Sequence, residues 1–232
     1  MKVSVEFNPG LSHQFYFIRR GLLSAIKKHS SSLSGVMLDF GCGSKPYKSL
    51  INVDNYIGLD FENPGHDHTN EEVDVFYDGK SIPFGDNYFD SILSSEVFAH
   101  LFDLPSILTE LNRVLKKGGK MLVTCPFVWN EHEVPHDYAR YTQFALRDIF
   151  EKKGFRVVHF EKKGNFIETI TQMRILYFIQ FSFPLFSRMS FVGKFMLKSS
   201  LFIINGWGKI KSSIFPAKYD LYLSNVILVE KT

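Results

Sequence analysis

The chain has 232 residues, 45% of them hydrophobic, and a formal net charge of +3. That length suits one domain, or one domain with an embellishment, and the apolar fraction is enough for a sizeable core. The N-terminus MKVSVEFNPG has no apolar signal region, and the two cysteines, Cys42 and Cys125, stand far apart. The expectation is a chain without a secretory leader or a disulfide framework, in a reducing, cytoplasmic compartment.

The predicted elements alternate. A helix is expected over Phe15–Lys28, then strands near 36–40, 56–60 and 73–77, and a fourth at Phe89–Ser94 after the turn Gly85-Asp86-Asn87. The next helix has Asp103 as its cap, Pro105 in its first turn and apolar residues at Leu104, Ile107, Leu108, Leu111 and Leu115. Lys116 and Lys117 suit the negative end of its dipole, and Gly118-Gly119 should stop it. Lys120–Thr124 reads as a fifth strand. Thr142 should cap a helix ending at Gly154, with strands at Arg156–Phe160 and Asn225–Glu230 after it. This order predicts an α/β fold: a doubly wound, seven-stranded, mostly parallel sheet with a helical insertion before the last strand.

The most informative segment is VMLDFGCGSKPY, residues 36–47. A buried parallel strand would run into a turn at Gly41 and Gly43, whose missing Cβ atoms let a ligand lie close. Asp60, about 20 residues past the glycines, is spaced to hold a ribose hydroxyl pair. A dinucleotide fingerprint wants a third glycine where Pro46 stands, and Asp39 would repel a pyrophosphate while attracting a cation. On these residues the chain resembles the class I S-adenosylmethionine-dependent methyltransferases, in their small-molecule (type 11-like) branch. Ile82-Pro83-Phe84, Asn87-Tyr88-Phe89-Asp90 and Leu115-Lys116-Lys117-Gly118-Gly119 resemble further stretches of that family. The resemblance implies S-adenosyl-L-methionine as cofactor. The residues to hold it would be Asp39, Gly41, Cys42, Gly43, Asp60 and Asp78, with Ser94 and Glu96 at the fourth strand and Arg19 on the first helix. Both cysteines also suit a plain role as small residues in tight places. Ser94-Ser95-Glu96-Val97 is unlike the tetrapeptide of the amino-methyltransferases that act on DNA, so no nucleic-acid partner is expected.

Glu96-Val97-Phe98-Ala99-His100 is similar to a metal-binding stretch of some relatives, but Ala99 stands where a second carboxylate would be. One carboxylate and one imidazole are too few for Mg²⁺, so no metal is expected, and His100 is read as helix-start structure. Asn130–Thr142 gathers three acids, two histidines, an arginine and two tyrosines after strand five. His136, oriented by Asp137, is the expected general base, with His132 second and with Tyr138 and Arg140 positioning the acceptor. Similar His…Pro-x-Asp-Tyr-x-Arg loops occur in bacterial methyltransferases of surface-polysaccharide pathways.

Charge is split along the chain. Residues 1–150 carry −5 and residues 151–232 carry +8. Residues 165–215 hold an uncharged run, 175–186, that is too short to cross a bilayer and that Pro184 should break. This insertion is expected to be a lid over the acceptor, a basic aromatic contact with an anionic membrane, or both. The reading is a single methyltransferase domain over 1–232. It acts on an oxygen, ahead of a nitrogen, of a small molecule or sugar, a lipid-linked glycan among them, in the cytoplasm or at the inner face of the membrane. The rivals are a nucleotide-dependent oxidoreductase and a non-catalytic, membrane-associated cofactor-binding protein. The acceptor and the oligomeric state stay open.

Overall fold

The computed structural model describes residues 3–4, 6–61, 72–187 and 190–232. Met1, Lys2 and Val5 of the N-terminal stretch and residues 188–189 of the insertion therefore lie outside the described residues. The chain divides into two compact units. The first is built from residues 25–161 and 225–232, and the second from 4–24 and 162–224.

The first unit is organised by a seven-stranded sheet of order β3-β2-β1-β4-β5-β7-β6. Its strands are β1 Val36–Phe40, β2 Asn55–Phe61, β3 Val75–Tyr77, β4 Phe89–Ser95, β5 Leu115–Pro126, β6 Phe155–Lys163 and β7 Ser224–Lys231. β1 pairs in parallel with β2 on one side and β4 on the other. The chain therefore winds outward both ways from β1 and β4, and the crevice above their carboxyl ends is a topological switch point. Buried apolar runs explain the central strands. Met37, Leu38, Phe40, Ile92 and Leu93 are at most 1% exposed, as parallel strands covered on both faces require.

Helix α2, Leu104–Val114, follows its sequence signals at the front. Asp103 accepts the Ser106 amide, and Leu104, Ile107, Leu108, Leu111 and Val114 form one buried stripe. Truncating Leu111 to alanine would cost about 2–5 kcal/mol. Its end differs from expectation. The helix stops at Val114, and residues 115–119 enter β5 through an irregularity in which Phe89 faces Leu115 and Ser91 faces Lys120. Gly118, at φ +75°, supplies the left-handed backbone this detour needs. Lys116 leaves the helix dipole and pairs with Asp90 at 2.6 Å. The carbonyls at the helix end are met instead by Lys231, whose Nζ donates to Asn112 and Leu115. Helix α3, Gln143–Lys152, starts from a Thr142 cap on the Ala145 amide, as expected.

The second unit carries the two long helices between β6 and β7, α4 Phe166–Ser187 and α5 Ser190–Ile214. Asn165 and Glu168 form a reciprocal cap at the start of α4. α4 runs on through Pro184 instead of breaking there. Gly208 of α5 lets the helices approach closely, since a Cβ there would meet Thr171 of α4 at 2.5 Å. Buried Gln172 and Asn205 hold the N-terminal segment, donating to the carbonyls of Gln14 and Leu11.

Candidate active site

At the end of β1 the chain turns through Gly41 and Gly43, at φ +72° and +44°. A Cβ on Gly41 would lie 2.3 Å from Val97, which follows β4. The glycine therefore answers both the backbone angle and the close approach of two strand ends. The Gly41 and Cys42 amides donate back to the Leu59 carbonyl, and the Gly43 amide donates to Asp60 at 2.8 Å. The other Asp60 oxygen accepts the Phe61 amide. The carboxylate is thus fixed by backbone before any ligand arrives. Lys45, buried and at φ +49°, ties the turn down through Asp74 at 2.6 Å, and Asp74 also takes the Gly58 amide.

Above this turn lies a cavity of about 800 Å³, wholly within the first unit. Phe40, Gly41, Gly43, Asp60, Phe61 and Tyr77 form one wall. Ser95 ends β4, Val97, His100 and Leu101 follow it, and Glu133, His136 and Tyr138 enter from the loop after β5. Phe61 and Tyr77 meet edge to face at 6.1 Å, and Gly79 is bare so that Phe61 can lie against it. The result is an apolar slot beside a fixed carboxylate.

The expected cofactor residues divide between this wall and its support. Gly41, Gly43 and Asp60 line the cavity. Asp39 sits behind it, 4% exposed, bonded to the Tyr56 hydroxyl. Burial pushes its carboxyl up to about 7, helped by the charges of Asp60 and Asp74 and opposed by Tyr56. Cys42 is buried against Gly58, with its thiol pushed up by burial, as a small residue in a tight place. Asp78, outside the lining, accepts the Lys80 and Ser81 amides at one oxygen, which hold its carboxyl below the usual range. Alternation along β4 buries Ser94 completely and gives the wall position to Ser95. Glu96, at φ +65°, bonds through its amide to Thr124, outside the lining. Arg19 belongs to the second unit, where it pairs with Glu6 at 3.0 Å and covers Phe7 and Phe15.

The loop differs more from expectation. His136 and Asp137 do not form a pair. Asp137 points its carboxylate at Arg140, in a two-pronged contact of 2.6 and 2.7 Å, and accepts the His132 amide. The Arg140 guanidinium holds the Asp137 carboxyl well below the usual carboxylate range. Asp137, Arg140 and His132 form the loop's internal frame, and none of the three lines the cavity. His136 faces the cavity, with Nδ1 3.0 Å from the Tyr138 hydroxyl.

His100, read from the sequence as helix-start structure, also lines the cavity. It ends a short 3₁₀ turn, Phe98–His100, where its Nδ1–H donates to the His136 carbonyl at 2.8 Å. The Tyr138 and Ala139 amides donate to the Ala99 carbonyl beside it. This turn after β4 therefore carries the loop after β5, and the only trace in sequence is a histidine near a strand end. Among the described residues Glu96 and His100 belong to no group of three metal-type ligands. The one such group, His29, His159 and Glu161, lies outside the cavity lining, with Lys28 on Glu161 at 2.8 Å.

Residues 38–123 match the family model described as methyltransferase domain. An uncharacterised protein of Methanocaldococcus jannaschii is 30% identical over 141 residues, 58% of this chain and 60% of its own length. A probable S-adenosylmethionine-dependent methyltransferase of Mycolicibacterium smegmatis is 28% identical over 124 residues, 51% of this chain and 48% of its own length. The chain thus spans about half the length of the curated relatives it matches. The solved phosphoethanolamine N-methyltransferase 2 of Haemonchus contortus, in complex with S-adenosyl-L-methionine, superimposes with a TM-score of 0.52 at 18% identity. That match covers 91% of this chain and 52% of the other. The sheet has the Rossmann-like methyltransferase fold.

Proposed function

We propose that the protein is an S-adenosylmethionine-dependent methyltransferase acting on an oxygen, ahead of a nitrogen, of a small molecule or sugar. A lipid-linked glycan at the inner face of a membrane is the acceptor we favour, as in the surface-polysaccharide enzymes whose loops resemble Asn130–Thr142. The observation that carries the reading is the glycine turn with Asp60 fixed by two amides at the wall of the switch-point cavity. The match of residues 38–123 to the methyltransferase domain supports this reading over the oxidoreductase.

The residues fit the cofactor. Asp60, held by two amides, lines the cavity where a carboxylate can accept from a ribose diol, and the slot at Phe61 and Tyr77 suits a flat base. When bound, S-adenosylmethionine supplies an activated methyl group on a sulfonium. The protein's part is to align the acceptor and exclude water. His136 is the proposed base. In the tautomer whose Nδ1–H donates to the Tyr138 oxygen, Nε2 carries the lone pair that takes the acceptor's hydroxyl proton. His100, whose Nδ1 is committed to a carbonyl, is the second candidate in place of His132. Tyr138 positions the acceptor directly, and Arg140 does so through the loop. No divalent metal takes part.

Calorimetric titration tests this. S-adenosylmethionine and S-adenosylhomocysteine should bind and NAD should not, and Asp60→Ala should weaken both by about 1.5–3 kcal/mol. Unchanged affinity in that variant would remove Asp60 from the site.

A further inference from the structure

Helix α5 carries large apolar residues on its outward side as well as its buried one, which a helix facing water ordinarily does not. At about 100° per residue, one side carries Leu201, Asn205 and Gly208, all buried. On the opposite side Ile203, Trp207, Ile210 and Ile214 fall in one row, with Phe195 and Phe202 in the next. These six are 49–72% exposed, on an arc about 140° wide that runs most of the helix length. Isolated exposed apolar residues are ordinary, but six large ones on one side, with only the small Ser199, Gly206 and Ser213 among them, mark a surface made to be covered.

Charge says what covers it. α5 contains no acid, and Lys198 and Lys209 border one edge of the arc while Lys211 borders the other. Lys211 reaches over the Trp207 ring at 5.4 Å, its stem along the apolar surface and its ammonium at the margin. The one acid of residues 165–215, Glu168, is already engaged by the Asn165 amide and the Ser212 hydroxyl. A second copy seated on this arc would bring lysine against lysine, whereas an anionic surface complements it. Among the described residues no helix is long and apolar enough to cross a membrane. We infer that the outer face of α5 lies in the headgroup layer of an anionic bilayer, parallel to its plane.

This names the contact surface for the membrane-side acceptor proposed above, and it stands apart from the cofactor chemistry. The experiment is co-sedimentation of the full chain with phosphatidylcholine vesicles, with and without phosphatidylglycerol, at low and high salt. Binding should require phosphatidylglycerol and weaken about tenfold or more at high salt. Trp207→Ser with Ile210→Ser should weaken it at least about tenfold at either salt. Lys198→Glu with Lys209→Glu should abolish only the salt-sensitive part. Retained affinity for S-adenosylhomocysteine in each variant keeps misfolding from passing as lost binding. Failure of the wild-type chain to sediment with anionic vesicles at low salt overturns the inference, as does equal binding by all variants. So does a dimer in sedimentation velocity that the Trp207 variant splits, which would give the face to a second copy. Vesicle binding without cofactor binding would sink the methyltransferase reading and leave this one standing.

Discussion

The two sides of the cavity are held by different means. The wall after β1 and β2 is fixed by backbone: Gly41 under Val97, amides of Gly43 and Phe61 on Asp60, the Leu59 carbonyl closing the turn. The loop after β5 also rests two amides on the Ala99 carbonyl, but its reacting side is set by side chains: Asp137 on Arg140, His100 on the His136 carbonyl, His136 on Tyr138. Their buried acids show the contrast in one property. Burial lifts the Asp39 carboxyl to about 7, while Arg140 holds that of Asp137 far below its usual range. A wall made from backbone is ready for a ligand common to a whole fold. A loop made from side-chain pairs is free to suit one acceptor.

The largest expected effect separates chemistry from binding across that divide. His136→Ala should lower turnover by roughly 10²–10⁴-fold, about 3–5 kcal/mol of barrier, while cofactor affinity changes little. An amine acceptor, neutral when bound, needs the base less, so the size of the loss also reports on the acceptor. If cofactor binding failed instead, with turnover per bound complex unchanged, the two sides would not be independent. Steady-state rates beside calorimetry on the same preparation decide it.

That divide also governs what the sequence makes legible. Backbone demands leave their mark in residue type. A positive φ and a strand end within 2.3 Å select glycine at 41, and buried parallel strands select the apolar run at 36–38. The seven strands and their order of appearance were legible for this reason. Side-chain partners leave no such mark. Asp137 lies beside His136 in sequence, yet it serves Arg140, and His136 meets Tyr138. His100 lies 36 residues from the carbonyl it binds. The early start of β5 was equally hidden, because Lys231, more than a hundred residues away, occupies the carbonyls that Lys116 and Lys117 would have faced.

The next effect belongs to the backbone wall. With its pKa raised, Asp39 holds a proton in the folded state that the unfolded chain has lost between about pH 4 and 7. Its contribution to stability is therefore greatest below about pH 4 and falls as pH rises through about 7, by up to about 4 kcal/mol. Urea denaturation across that range should show the decline in the wild-type chain and a flatter profile in Asp39→Asn. Saturating S-adenosylhomocysteine, which brings an ammonium group, should shrink the decline if Asp39 serves a cationic ligand. Equal slopes in wild type and variant would mean that Asp39 does not titrate there.

The smallest effect belongs to the loop and has the opposite sign. The Asp137 carboxyl is depressed by Arg140, so its stabilisation is fully present above the unfolded value near 4. It is lost as pH falls through the folded value, because protonation removes the charge that both guanidinium contacts require. Contacts of this kind are worth about 1.5–3 kcal/mol where they are well aligned. Asp137→Asn should remove that much at neutral pH, and the gap between the two chains should narrow below about pH 4 and close only as the pH falls through the depressed folded value. The amide can still accept the His132 N–H, which keeps part of the frame. Turnover should then drop less than in His136→Ala, since the base itself remains. Hydrogen exchange should quicken across the loop after β5 and leave Gly41–Gly43 unchanged. Exchange that quickened equally in the glycine turn would mean that the loop and the wall are one cooperative unit, and the contrast between them would fail.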